Sequence, residues 1–569
     1  MGRLENLDLP QPQKLSPRGK WPRAVLLCGV ALLVLSSTFG RVAPLRRGVE
    51  SAVQGSSGVK DWCPLPEVKS PGEDGLKSSA QFNSEATLQK QVRRLSAVVN
   101  VPTESFDDNG EVDEDPRWAP FDDLHALLEE LFPLVYSHFT VEKVNRYGLV
   151  YTLAGSDPSL KPILLAAHQD VVPAGPITGW THPPFDAYFD GSFLWGRGSN
   201  DCKNVLVGLM SALEDLLSQS FVPRRGIVLA FGFDEETGGK RGAATIGKAL
   251  LEEWGPDSFA FVLDEGGMGV QTVGDVMFAL PGVGEKGYQD VRLTLDTVGG
   301  HSSRPQEHTG IGIMAAMIVA LEQNPFKPRL TQSNPFRRVL ECRVKYAEEH
   351  VDSWLKDALQ RGEETKVAEK VAKELPDARF LMQTSQAVDL ISGGVKINAL
   401  PERVQATVNH RIAVHESIEV VNKHALDVLT PVAESFGIEI VAHGGNLSTQ
   451  TPGTLTLSYP QSLVVAPVSP TDNDVWDLFS GTLRYVFETT ESGLGKTVVP
   501  VGDIMTGNTD TQRYWNLTRN IYRYSPTRDG SRLNTHAADE RMEMAAHVEG
   551  LRVYYDLIRN FDAWDGERV

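Results

Sequence analysis

From about residue 85 onward, short apolar runs alternate with helical patterns. Ile227 to Phe233, in the stretch IVLAFGFDEETGG, is an unbroken series of apolar residues and Gly, which predicts a strand covered on both faces. PILLAAHQD (162–170) is a second such run and ends in His168 and Asp170. FAFVLDEGG (259–267) is a third and ends at Asp264. Between them, NVLVGLMSALEDLLSQS (204–220) has the spacing of an amphipathic helix and follows a Gly-rich turn. Buried-type strands separated by helices predict an α/β fold with a mostly parallel sheet covered on both faces.

The pattern changes in the second half. GYQDVRLTLDTVGGHSSRP and ALPERVQATVNHRIAV alternate apolar and polar positions, as a sheet with one solvated face does. Residues 340 to 376 are helical in pattern and rich in Glu and Lys, and read as a solvated helical elaboration with no chemistry of its own.

The N-terminus follows neither rule. Residues 24 to 40, AVLLCGVALLVLSSTFG, are uncharged and mostly apolar, with Lys20 and Arg23 before them and Arg41, Arg46 and Arg47 after. Such a run predicts a single membrane anchor, with residues 1–23 as a cytoplasmic tail and the bulk of the chain luminal. A cleaved signal is the rival reading, since Thr38 and Gly40 suit a peptidase. Residues 41–84, rich in Gly, Ser, Pro and charge, are expected to form a flexible stalk. Sequons at Asn446 and Asn516 agree with a secretory or vacuolar route. Of four cysteines Cys28 falls in the apolar run, so Cys63, Cys202 and Cys342 suggest no disulfide framework. The formal net charge of -19 argues against nucleic acid as a partner.

The chemistry collects at strand ends. Asp234, Glu235 and Glu236 follow one strand, His168 and Asp170 another, and Asp264 a third, while WGRGSNDCKN (195–204) brings Asp201. In open α/β sheets ligands bind outside the carboxyl ends of the strands, so these groups are expected around one crevice. Each alone has an ordinary reading, Asp201 as a helix cap and His168 as a satisfied polar residue. Together, oxygen and nitrogen donors in such density suit bound cations, zinc first. No G-x-S-x-G elbow occurs, which disfavours a serine hydrolase.

At these residues the chain resembles the di-zinc superfamily of carboxypeptidases, aminoacylases and succinyl-diaminopimelate desuccinylase, most closely its carboxypeptidase S branch. The stretches that carry the resemblance are AAHQDVVP, GWTHPPFDAYFDGSFLWGRGSNDCKN, FDEETGG, LDEGG, GEKGY, GGHSSRP, NALPERVQATVNHRI, GNTDTQRY and NTHAADERM. The resemblance implies a catalytic domain in two parts, 85–286 and 469–569, with an inserted α+β lid at 287–468 of the kind that mediates homodimers. It implies two zinc ions per chain: His168 and Asp264 on one, Glu236 and His536 on the other, and Asp201 bridging. Glu235 then becomes the general base, since neighbouring strand side chains point opposite ways and only one of the pair reaches the metal. Asp170 is expected to hold the His168 imidazole. In the lid, His301 resembles the residue that stabilises the oxyanion, and Asn398 and Arg411 resemble those that hold a substrate carboxylate.

The implied activity is hydrolysis of the C-terminal peptide bond of short peptides. Hydrolysis or synthesis of N-fatty-acyl amino acids on the same centre is the alternative. Two positions depart from the wider pattern. Cys202 stands where many members carry Asp, and reads as a buried filler or a reactive thiol. Asn409 stands where the lid often has Asp.

Overall fold

The computed structural model describes residues 62–441 and 452–569. The expected anchor at 24–40 and the sequon at Asn446 lie outside them. Among the described residues, no helix is long and apolar enough to cross a membrane.

The apolar runs form the middle of an eight-stranded sheet. Its order is Thr140–Val144, Gly148–Leu153, Ile227–Gly232, Ile163–His168, Phe261–Asp264, Ile521–Arg523, Gly282–Glu285 and Asp503–Met505. Ile163–His168 runs parallel to both Ile227–Gly232 and Phe261–Asp264, and Ile521–Arg523 is parallel to the latter. Gly148–Leu153 joins antiparallel, so the sheet is parallel at its centre and mixed at its edges.

Period-two alternation divides the central strands between two cores. Leu165, Leu229 and Leu263 face a cluster that includes Leu206, Leu213 and Leu557, from the helices Lys203–Ser218 and Met544–Ala563. Leu164, Val228 and Val262 face Ile246 and Leu250 of Ala243–Trp254. Both faces are therefore dry, which explains why these strands read as unbroken apolar runs.

The alternating segments form a second sheet, ordered Ser385–Gly393, Arg403–Ile412, Gly287–Thr297, Gly453–Ser458 and Ile438–Val441, with the short Ser462–Leu463 also paired to Gly287–Thr297. One face packs on Gly310–Gln323 and Ile418–Ser435, through Leu293, Leu295, Val404 and Ala406 against Met314, Met317, Val421 and Leu429.

Three differences from the sequence reading stand out. Residues 62–84 are not a free stalk. The Cys63 carbonyl accepts from Lys345 Nζ at 2.8 Å and Tyr346 Oη at 3.1 Å, and Asp74 takes two bonds from Arg559, both at 2.8 Å. Cys63 is also disulfide-bonded to Cys342, across a sequence separation of 279 residues. Nothing local in the sequence announces that pair, because the fold brings it together. Finally, the helices Pro335–Tyr346, Ser353–Gln360 and Glu364–Glu374 are not wholly solvated. Their apolar faces share a core with Phe278, Leu280, Val499, Val501 and Ile504 of the catalytic portion.

Candidate metal centre

The register of the parallel strands aligns their carboxyl ends, pairing His168 with Gly232. His168 is the last residue of its strand and is 1% exposed. Its Nδ1 lies 2.9 Å from the backbone oxygen of Asp170 and 3.3 Å from Asp170 Oδ1. That ring nitrogen is committed inward, leaving Nε2 to the cleft.

The chain leaves Ile227–Gly232 into a 3₁₀ turn, Glu235–Thr237. The two glutamates therefore do not alternate across a strand, as the sequence suggested. Their separation comes from the turn. Its two leading N–H groups donate to Asp170, Glu235 N to Oδ1 and Glu236 N to Oδ2, each at 3.1 Å. Asp170 thus seats both His168 and the glutamate turn. Asp234 acts elsewhere. Its carboxylate accepts Arg241 N and Gly242 N, both at 2.7 Å, and closes the loop that follows. Gly239 in that loop has φ +62°, and a Cβ there would stand 2.3 Å from the Asp510 carboxylate.

Asp201 sits in the loop before the helix Lys203–Ser218. Its Oδ1 is 3.3 Å from His168 Nε2, and its Oδ2 is 3.1 Å from His536 Nε2. Glu236 Oε2 is also 3.1 Å from His536 Nε2. Donor atoms of His168, Asp201 and Glu236 all lie within 4.8 Å of one another, as do those of His168, Cys202 and Glu265. The sequence reading does not include Glu265, whose Oε1 is 3.5 Å from His168 Nε2. A signal for it exists, since LDEGG repeats the paired acids of FDEETGG. Asp264 is 2% exposed; its Oδ1 accepts the N–H of Glu265, and its Oδ2 has no hydrogen-bond partner.

The electrostatics are those of a cluster short of positive charge. Burial, with Glu265 beside it, pushes Asp264 up to about 7. Burial, with Asp201 near, pushes Glu236 up to about 7 despite its bond to His536. Burial, with Glu265 and Asp510 near, raises Glu235 well above the carboxylate range against the pull of His168. His536 is driven up to about 10 by its contacts with Asp201 and Glu236. Asp201 goes the other way: burial opposes its charge, but the bonds to His168 and His536 hold it below the usual carboxylate range. Two divalent cations would relieve the same repulsion, and the orphaned Asp264 oxygen is the kind of buried group a cation satisfies. The donor set of imidazole nitrogens and carboxylate oxygens fits such ions.

Cys202 is 0% exposed, and burial raises its thiol well above the ordinary range. Its Sγ accepts the backbone N–H of His168 at 3.2 Å, so it behaves as a filler that also braces the strand end.

Among the described residues, His301, Asn398 and Arg411 share no hydrogen bond or ion pair with this cluster. His301 and Ala399 pair in a two-stranded ribbon, Gly300–His301 with Ala399–Leu400, and both His301 and Asn398 are exposed. His301 Nδ1 lies 2.8 Å from Ser303 Oγ. Arg411 stacks over Tyr288 and donates from Nη1 to Asn508 Oδ1 at 3.0 Å, and Asn508 Nδ2 donates in turn to the Lys286 carbonyl. Asn409 bonds Asp290 Oδ1 at 2.7 Å, on the neighbouring strand.

A parallel-centred sheet with carboxylates and histidines at its carboxyl edge, and a second α/β unit inserted in the chain, presents the donor set of a metal-binding α/β protein. The sequence matches the peptidase family M20/M25/M40 over residues 164–560, and the chain belongs to that family. It is a carboxypeptidase S-like member and a peptide-bond hydrolase. It is 34% identical to carboxypeptidase S of Saccharomyces cerevisiae over 97% of this chain and 99% of that one. It is 38% identical to a putative carboxypeptidase of the same yeast, over 88% of each chain. A mouse N-fatty-acyl-amino acid synthase/hydrolase is 29% identical over 85% of this chain and 90% of its own. Among solved structures, human carnosine dipeptidase 1 superposes with a TM-score of 0.58 at 14% identity, covering 85% of this chain and 98% of that one.

Proposed function

We propose that the chain is a zinc carboxypeptidase that removes the C-terminal residue of short peptides. The observation that carries this reading is Asp201, whose two carboxylate oxygens each face a different histidine. His168 and Asp264, with Glu265 alongside, would hold one ion; Glu236 and His536 would hold the other; Asp201 would bridge. The ions would supply the positive charge against which a water loses its proton and the scissile carbonyl oxygen gains negative charge.

The remaining steps belong to the protein. Glu235, half-buried beside the cluster, takes the proton of the attacking water and returns it to the leaving amine. Asp170 holds the His168 ring and the glutamate turn in fixed relation. Arg411 and Asn398 bind the substrate's terminal carboxylate, and His301 donates to the carbonyl oxygen as charge develops there. For His301 and Asn398 to act, the lid must bring their ribbon to the substrate.

Two observations favour further readings. The mouse relative's name supports N-fatty-acyl amino acids as an alternative substrate class for the same centre. The Cys63–Cys342 disulfide suits an oxidising compartment, in keeping with a luminal catalytic portion anchored by residues 24–40. Asn516 is exposed, as a glycosylated residue must be.

The deciding experiment compares kcat/KM on N-blocked dipeptides with that on N-fatty-acyl amino acids, each before and after chelation. Chelator-sensitive preference for the dipeptides is expected. A reversed preference establishes the alternative, and activity indifferent to metal removal overturns both.

A further inference from the structure

The two histidines of the centre are held in different ways. His168 has a partner on Nδ1 and sits at the end of a central strand. His536 has neither. Among the described residues no protein group bonds its Nδ1, its side chain is 52% exposed, and it lies in a loop. That loop is conformationally costly: Asn534, His536 and Asp539 have φ of 58°, 59° and 63° in a chain of L-residues. A backbone of this kind persists only where its surroundings over-determine it.

Glu540 supplies that constraint. Its residue is 0% exposed, and its carboxylate accepts Arg197 Nη1 on one oxygen, with Gly198 N at 3.0 Å and Asn200 N at 3.1 Å on the other. Its own carbonyl accepts Gly196 N at 2.9 Å. The clamp continues one residue before Asp201. Asn200 Nδ2 donates to the carbonyls of Leu533, at 3.0 Å, and Arg541, at 3.2 Å, while Thr535 Oγ1 donates to Asn200 Oδ1 at 2.9 Å. Every one of these bonds joins the loop that carries Asp201 to the segment 533–541 that carries His536.

We propose that Glu540, acting with Asn200, is a positioning residue that sets the His536 imidazole against Asp201 and so governs retention of the ion on the His536 side. This rests on the two-ion reading above. The His168 ring is itself fixed by Asp170 and the sheet, so the clamp reaches the His168 side only through Asp201, whereas on the His536 side it holds both Asp201 and the histidine's own loop. A glutamine at 540 has the right shape but only one acceptor oxygen, so its amide N–H must meet either Arg197 or the N–H groups of Gly198 and Asn200.

The test withdraws zinc from the purified full-length holoenzyme with a graded chelator and follows zinc remaining per chain. Wild-type is expected to lose two ions. In Glu540→Gln one step shifts to about 10- to 100-fold weaker chelation, the loss typical of disturbed partners of a metal ligand, while the other step, touched only through Asp201, moves by a smaller factor. Activity should return when zinc is added in excess. A structural role alone would move both steps by the same factor or move neither, and either result overturns the proposal. If Glu540→Gln does not fold, Thr535→Val removes a single outer bond of the clamp. It should shift the same step by a smaller factor, and an unshifted step there is equally decisive against the proposal. Wild-type holoenzyme with fewer than two ions would defeat the two-ion reading instead, so the two failures are distinguishable.

Discussion

Asp201 Oδ2 lies 3.1 Å from His536 Nε2, although in the chain one residue precedes and the other follows the whole second sheet. The other oxygen of Asp201 faces His168 at 3.3 Å. One carboxylate therefore connects both halves of the site, and its removal should be felt by both. Asp201→Ala is expected to abolish retention of either ion and all turnover. Elemental analysis of the purified variant checks this. A variant that keeps one equivalent of zinc would show that the halves load independently and that Asp201 does not bridge.

Glu235 is next to Glu236 in sequence, yet of the two only Glu236 lies within ion-pair distance of a histidine. Glu235→Gln should keep its metal content and its melting temperature. Turnover should fall by about a hundred- to ten-thousand-fold, the usual contribution of a general acid–base group, because an amide cannot shuttle the proton. If the variant loses metal instead, the roles of Glu235 and Glu236 are exchanged.

Stability of the metal-free protein should depend on pH with a definite sign. Glu236 rises from 4.5 and Asp264 from 3.8, each to about 7, chiefly through burial. A carboxyl whose pKa is higher folded than unfolded binds its proton more tightly when folded, so stability falls as pH climbs from about 4 through 7. His536, raised to about 10 by Asp201 and Glu236, contributes fully below 6.5 and loses its contribution progressively as pH rises from 6.5 through about 10. The gap in melting temperature between loaded and metal-free protein should therefore widen from pH 5 to pH 8, since cations replace the protons that the carboxylates give up. A gap independent of pH over that range would contradict the electrostatics of the cluster.

Much of the fold and the site is legible in the sequence, and the parts that are not share a cause. The strands at 163–168, 227–232 and 261–264 can be read because burial on both faces leaves continuous apolar runs. The lid strands can be read because one solvated face leaves alternation. The Glu235–Glu236 turn reads as strand in the sequence, since its geometry is set by two backbone bonds to Asp170, on another strand's extension. The strap at 62–84 and the Cys63–Cys342 pair depend on partners hundreds of residues away, and Gly, Ser and Pro composition carries no trace of them. Glu540 is hidden for a similar reason: a glutamate in a polar loop looks solvated until its donors from 197–200 are in place.

Recognition of the substrate's free carboxylate is the finest distinction asked of this chain. A carboxypeptidase must prefer an acid over its amide, and Arg411 offers a planar fork that matches a carboxylate. Its Nη1 is shared with Asn508, itself bonded to the Lys286 carbonyl at the junction of the two sheets, so the guanidinium has a defined position with donors to spare. Charge-assisted bonds contribute about 1.5–3 kcal/mol, so Arg411→Ala should cut kcat/KM for free acids by roughly ten- to a hundredfold, mainly through KM, and narrow the preference over amides. His301→Ala should act on kcat instead, because its partner charge develops only in the transition state. Kinetics on a matched acid and amide check both. An unchanged acid-to-amide ratio in Arg411→Ala would move the carboxylate site elsewhere. Arg513 is then the next residue to vary, with one guanidinium N–H already committed to the Gly238 carbonyl at 2.7 Å, in the turn that carries the glutamates.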